Sequence, residues 1–166
     1  DASNYTFNTA TIGLTAGKWY AEMKVSSASS DDSIGISSEV ADGGDDRMGD
    51  HATAWAWSGG FAGNDLRNNG SNSSYGDTWG VNDIVSIALD LTNNKLYFAK
   101  NGTWQNSSDP TDGTNAIAIT DPASTISGQY FIVIGEAASN SGTYLMNFGN
   151  PAYANTSDAA DANGYG

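Results

Sequence analysis

The sequence predicts an all-β protein, a two-sheet antiparallel sandwich. Three observations predict it. Apolar residues alternate with polar ones in short runs, and no segment sustains the 3.6-residue period of a helix. Clusters of Gly, Asn, Asp and Ser separate about eight such runs at the spacing of a sandwich. The composition is polar without being charged: 39% hydrophobic and 15% charged over 166 residues. A surface built from Ser, Thr, Asn and Gly suits many turns between short strands.

Taken in order, residues 11–14 form a short strand candidate. Residues 17–25 form a firm one, with Trp19, Ala21, Met23 and Val25 on one face and Lys18, Tyr20, Glu22 and Lys24 on the other. Residues 33–37 turn Ile34 and Ile36 inward. Residues 39–50 are a Gly/Asp-rich loop. Residues 51–57 are aromatic and alternating, with Trp55 and Trp57 on one side. Residues 58–76 are a long polar stretch.

Residues 75–105 carry the strongest signal. Val85, Ile87, Leu89 and Leu91 alternate with Ser86, Ala88 and Asp90. Asn93-Asn94 supplies two residues tolerant of positive φ. Leu96 and Phe98 resume the alternation, and Asn101-Gly102 is the best short hairpin signal there is. This reads as a β-meander, with a two-residue type I′ turn at 101–102. Residues 107–127 read as a loop with a short strand at 116–119. Residues 130–136 and 143–148 read as a closing hairpin. Ten side chains are expected between the sheets: Trp19, Met23, Ile34, Ile36, Ile87, Leu89, Leu96, Phe98, Val133 and Met146.

Length predicts one domain over residues 1–150. The tail at 151–166 is dominated by Ala, Asn, Asp and Gly. The chain opens on Asp1 rather than Met, which reads as a segment of something longer. The net charge of −13, from six Lys and Arg against nineteen Asp and Glu, disfavours nucleic acid. No apolar run approaches 20 residues, so no helical membrane span is expected. Cysteine is absent, which removes thiol chemistry and leans towards a bacterial or viral source. Sequons at Asn4, Asn69, Asn72, Asn101, Asn106 and Asn155 matter only in a secreted eukaryotic protein.

Four blocks then resemble one family in order: GKWYAEMKV (17–25), SIGIS (33–37), the meander with its Leu-Asp-Leu and Lys-Asn-Gly turns, and FIVIGEAASNSGTYLMNFG at the end. The chain resembles the SPRY family, and these blocks cover about two-thirds of it. The resemblance implies a concanavalin-like jelly roll. The wording KNGTWQNSSDP (100–110) looks most like SPRY domains of tailed-phage virion proteins. That implies a non-enzymatic module of a tail fibre, spike or capsid decoration, on a virion surface or otherwise extracellular. Its expected partners are other virion proteins or host cell-surface glycans, and a homo-oligomer is allowed. A purely structural, self-assembling surface protein is one alternative, and a concanavalin-type glycosidase, less favoured, is the other.

Candidate chemistry is sparse. A retaining glycosidase needs two carboxyls about 5 Å apart. No glutamate here has an acid two or four residues on, so glycosidase activity and catalysis in general are not expected. His51 is the only histidine, with no nucleophile marked near it. No cofactor is expected. Asp42, Asp45, Asp46 and Asp50 share a Gly-rich loop and are weak calcium candidates, since no bidentate glutamate closes the loop. For ligand binding, Arg47, Trp57, Arg67, Tyr75, Trp79 and Trp104 are the candidates, because Trp, Tyr and Arg anchor interfaces and aromatic faces stack on sugars. Arg47 is expected to pair with a carboxylate. The loops 39–50 and 58–76 and the meander's end at Trp104 are expected to form one surface.

Overall fold

In the computed structural model, residues 5–28, 31–39, 47–59, 63–137, 142–149 and 152–153 are described. Among them are twelve strands. In chain order they are β1 (Tyr5–Thr9), β2 (Lys18–Ser27), β3 (Ser33–Ser37), β4 (Ala54–Ser58), β5 (Asp65–Asn68), β6 (Ser71–Ser74), β7 (Ile84–Asp90), β8 (Lys95–Lys100), β9 (Thr103–Trp104), β10 (Ile117–Ala118), β11 (Phe131–Ala137) and β12 (Thr143–Asn147). They form two antiparallel sheets, as expected. The first runs β1-β11-β3-β4-β5-β6. The second runs β10-β8-β7-β2-β12, with β9 on β8.

The sandwich interior follows from the period-2 phase of the strands. Met23, Ile34, Ile36, Ile87, Leu89, Leu96 and Phe98 are buried together between the sheets. Met146 is partly buried against them. Ile34 pairs with Trp57 and Ile36 with Trp55 across β3 and β4. A one-residue slip would turn all four outward, so burial holds the register.

Two of the ten expected core positions are corrected. Val133 faces the other way. It lies opposite Gly35 and packs with Phe7, Met48 and Ala56 on the outer face of the first sheet. Phe131 to Ile134 is an unbroken apolar run, so periodicity could not tell its two buried faces apart, and Ile132 is the inward residue. Trp19 shares the phase of Ala21 and Met23 but remains 45% exposed. It stands at the very start of β2, where the cover of the opposite sheet ends.

The meander is present with one change. Asn101 and Gly102 have φ of 48° and 80°, and Lys100 pairs with Thr103. This is the expected two-residue turn with both φ positive. Asn101 also accepts a bond from the Ile84 amide at 2.8 Å and donates to Asp83 at 2.7 Å. A β-branched residue resists positive φ. Gly102→Val is therefore expected to cost about 1–3 kcal/mol, read as a lowered urea midpoint. An unchanged midpoint would contradict this account of the turn. The other turn is a four-residue loop closed by Asp90 and Lys95, not a two-residue one, and only Asn94 has positive φ. Asp90 is the reason. Its carboxylate accepts from the Thr92 and Asn93 amides and from the Asn93 side chain, at 2.8–3.1 Å.

Other elements differ from expectation. Residues 130–148 do not form a hairpin: β11 joins the first sheet and β12 the second. At 11–14 there is only an isolated bridge from Leu14 to Tyr130, while the nearby strand is β1. The polar stretch 58–76 contains the β5–β6 hairpin, turned by Asn69 (φ 49°) and Gly70 (φ 71°). Among the described residues, six of the seven non-glycine positive-φ positions are asparagines: 69, 82, 94, 101, 106 and 115. Much of the asparagine is thus consumed by turns, because its short polar side chain tolerates the left-handed region.

Tyr75 and Tyr130 lie within the core. Burial pushes each hydroxyl's pKa up to about 12, against roughly 10 in an unfolded chain. The folded state therefore holds these protons longer than the unfolded state. Their contribution to stability is complete below pH 10 and is lost as pH rises from 10 through about 12. Urea midpoints measured from pH 9 to 12 should fall in that window. Phenolate absorbance from these two tyrosines should appear only near pH 12 or with unfolding. Their early ionisation in the folded protein would contradict this.

Candidate functional site

The structure separates the six expected binding residues. Trp57, Tyr75 and Trp79 are core, not surface. Their rings meet edge-to-face around Trp57, at centroid distances of 5.8 Å to Tyr75 and 6.1 Å to Trp79, with Phe98 at 5.5 Å. The Trp57 indole N–H donates to the Tyr75 carbonyl at 3.1 Å. None of the three offers a face to a ligand, because a large aromatic surface gains most by leaving water entirely.

Arg47 and Arg67 lie at the outer side of the first sheet. Arg47 is paired, as expected, and its guanidinium reaches Asp31 at 3.2 Å while its backbone N–H donates to Asp50. Arg67 stands opposite Ala56 in register, donates from Nε to Asp50 at 2.6 Å, and bonds Asn72 at 2.8 Å. Asp50 is thereby committed to these two arginines. Asp42, Asp45 and Asp46 lie outside the described residues. Among the described residues, no group of three acids or histidines is placed to hold a metal ion. His51 is half-exposed, with Nδ1 3.3 Å from Glu39.

Trp104 is on the opposite side of the sandwich, so the expected single surface is not assembled. The outer face of the second sheet carries a row in direct register across five strands: Trp104, Ala99, Ser86, Glu22 and Asn147. The next row is Tyr97, Ala88 and Tyr20. Small residues in the middle leave room for Trp104, which meets Tyr20 and Tyr97 edge-on, each at 6.4 Å. Glu22 is fully buried there, accepting from the Tyr20 hydroxyl at 2.6 Å and from Asn147 at 3.0 Å. Tyr153, in the C-terminal tail, rests on the ammonium of Lys24 near this face.

Among the described residues, a concave site lies away from both outer faces. At a corner where β1 ends and β2 begins, a pocket of about 470 Å³ opens between the sheets. It is lined by Thr9, Ala10, Ile12, Leu14 and Ile132 from the side of the first sheet, and by Trp19, Tyr20 and Phe148. Ile12 is 68%, Trp19 45% and Phe148 60% exposed. Strand phase alone puts Trp19 in the core and marks neither Ile12 nor Phe148 as a contact residue. Strand alternation reports a side chain's face, and says nothing about where the facing sheet stops.

Residues 18–115 match the family model of the SPRY domain. That is more than half of the chain, and the chain belongs to the SPRY family. SPRY domains mediate protein–protein interactions. The match takes in β2 through β9, so β1, β12 and much of the corner pocket lie outside it. No curated protein matches the chain.

Proposed function

We propose that the chain is a non-enzymatic interaction module on the surface of a tailed-phage particle, in a tail fibre, spike or capsid decoration, where it contacts a neighbouring virion protein. The observation that carries a protein partner is the corner pocket, with Ile12, Trp19 and Phe148 exposed around it. Clustered exposed apolar side chains on a polar surface mark contact sites. The virion setting rests on the wording of residues 100–110. A host glycan is the less favoured partner, because three of the aromatics suited to sugar stacking are core. The reading as a non-enzyme is supported by the setting of Glu22, whose row neighbours are Ser86 and Asn147 rather than a second carboxylate.

A photo-cross-linking amino acid placed at Phe148 in the full parent chain tests this. Irradiated particles should yield a cross-link to another particle protein. Particles without one, together with Trp104-dependent signals on a glycan array, would put the glycan reading in its place.

Self-assembly is the second reading, favoured by one observation. β6, sequence SNSS, is an exposed and uncharged open edge, and such edges pair readily with other chains. Sedimentation of the purified chain as a monomer at high concentration would remove it.

A further inference from the structure

We infer that the corner pocket docks a basic segment of the partner protein, taking one arginine or lysine side chain against Trp19 and Phe148. The inference rests on the interaction-module reading and names the chemistry of the partner.

The charge distribution argues for a cationic occupant. The chain has six Lys and Arg against nineteen Asp and Glu. All six cations have internal contacts. Lys18 pairs with Asp90 and Lys100 with Asp83, each at 3.4 Å, and the two arginines pair with Asp31 and Asp50. Lys95 donates to the Gly113 carbonyl at 3.2 Å, and Lys24 lies over Tyr153. The net charge of −13 is thus not offset by the chain's own cations. A complementary partner brings the positive charge, and the field of the whole chain steers it in.

The pocket suits the side chain that carries such a charge. Its walls are aromatic and aliphatic, and its volume of about 470 Å³ lies in the range of small ligand sites. A cation is drawn to the negative face of an aromatic ring, most strongly to Trp. The aliphatic stem of Lys or Arg packs along apolar surface while the head keeps its polar contacts. Ile12, Leu14 and Ile132 offer that surface. Trp19 is held in place before any partner arrives. Its indole N–H donates to the Ala16 carbonyl at 2.8 Å. Less side-chain freedom is then lost on docking. An apolar occupant would use the same walls and gain nothing from the charge, and an acidic one would be repelled.

The test uses the isotope-labelled chain and three short peptides that differ only in a central residue flanked by glycines: arginine, its neutral isostere citrulline, or leucine. The arginine peptide should shift the Trp19 indole N–H and the amides of residues 10–14 saturably. The citrulline peptide should bind at least about fivefold more weakly. Trp19→Ala should remove these shifts, and Phe148→Ser, at a more exposed position, should weaken them while leaving the rest of the spectrum unchanged. Leucine binding as well as arginine would overturn the cationic occupant. Arginine shifts that persist in Trp19→Ala would overturn the pocket, yet leave the module reading standing. The particle cross-link from position 148 tests that reading separately.

Discussion

Replacing Trp57 by alanine is expected to bring the domain close to unfolding. Trp57 is fully buried, one residue from the end of β4. Its ring meets Tyr75, Trp79 and Phe98, so the cavity left behind would be walled by three large rings that cannot all collapse into it. Truncation of a buried Trp or Phe costs about 3–5 kcal/mol. The Tyr75 carbonyl would also lose its indole donor, and an orphaned buried acceptor costs roughly 1–3 kcal/mol more. A domain of this kind has about 5–15 kcal/mol in all. Urea unfolding should therefore show a midpoint displaced by most of its value, or no folded baseline at 37 °C. Trp57→Phe should recover a large share, because it refills most of the volume but not the hydrogen bond. A small loss in Trp57→Ala would mean that the aromatic cluster is not the centre of the core.

The second large effect is expected at Gly35. This residue lies in the middle of β3, between Ile34 and Ile36, with Ala56 opposite on β4 and Val133 on β11. A Cβ built there falls on the Trp55 carbonyl oxygen and 2.7 Å from the end of the Met48 side chain. The methionine can move, but the β4 backbone cannot without breaking the ladder on both sides. Overpacking a tight interior costs about 1–3 kcal/mol and occasionally more. Gly35→Val is expected at or above the top of that range, about 3 kcal/mol. Thermal unfolding and amide hydrogen exchange of β3 and β4 would check it. Full protection of those amides in the variant would show that the strands have slack there.

These two residues show how far the sequence could be read. The alternation through Ile34, Gly35 and Ile36 marked a strand and its inward face. It did not show that the opposite face would also be covered, by Met48 and Phe7, so that only glycine fits at 35. Alternation places Trp57 on a strand beside Trp55, but residue type alone makes it look like a binding residue. A tryptophan's sequence neighbours do not reveal whether a second sheet will cover it. The β5–β6 hairpin was within reach, because Asn69-Gly70 is the same signal as Asn101-Gly102. Its strands, DLRN and SNSS, have almost no apolar alternation, so nothing beyond the turn marks them among polar residues.

Local patterning alone determined the fold class, the meander, its type I′ turn, and the inward phase of β2, β3, β7 and β8. Those features depend on side-chain period and on which residues accept positive φ, and both are written along the chain. Only the tertiary structure decided that β11 and β12 part into different sheets, that the arginines and Trp104 end on opposite faces, and that Trp19 is left exposed beside Phe148. Each depends on where one sheet ends relative to the other. That boundary is set by pairing between residues more than a hundred positions apart, such as Glu22 with Asn147, and no local period records it.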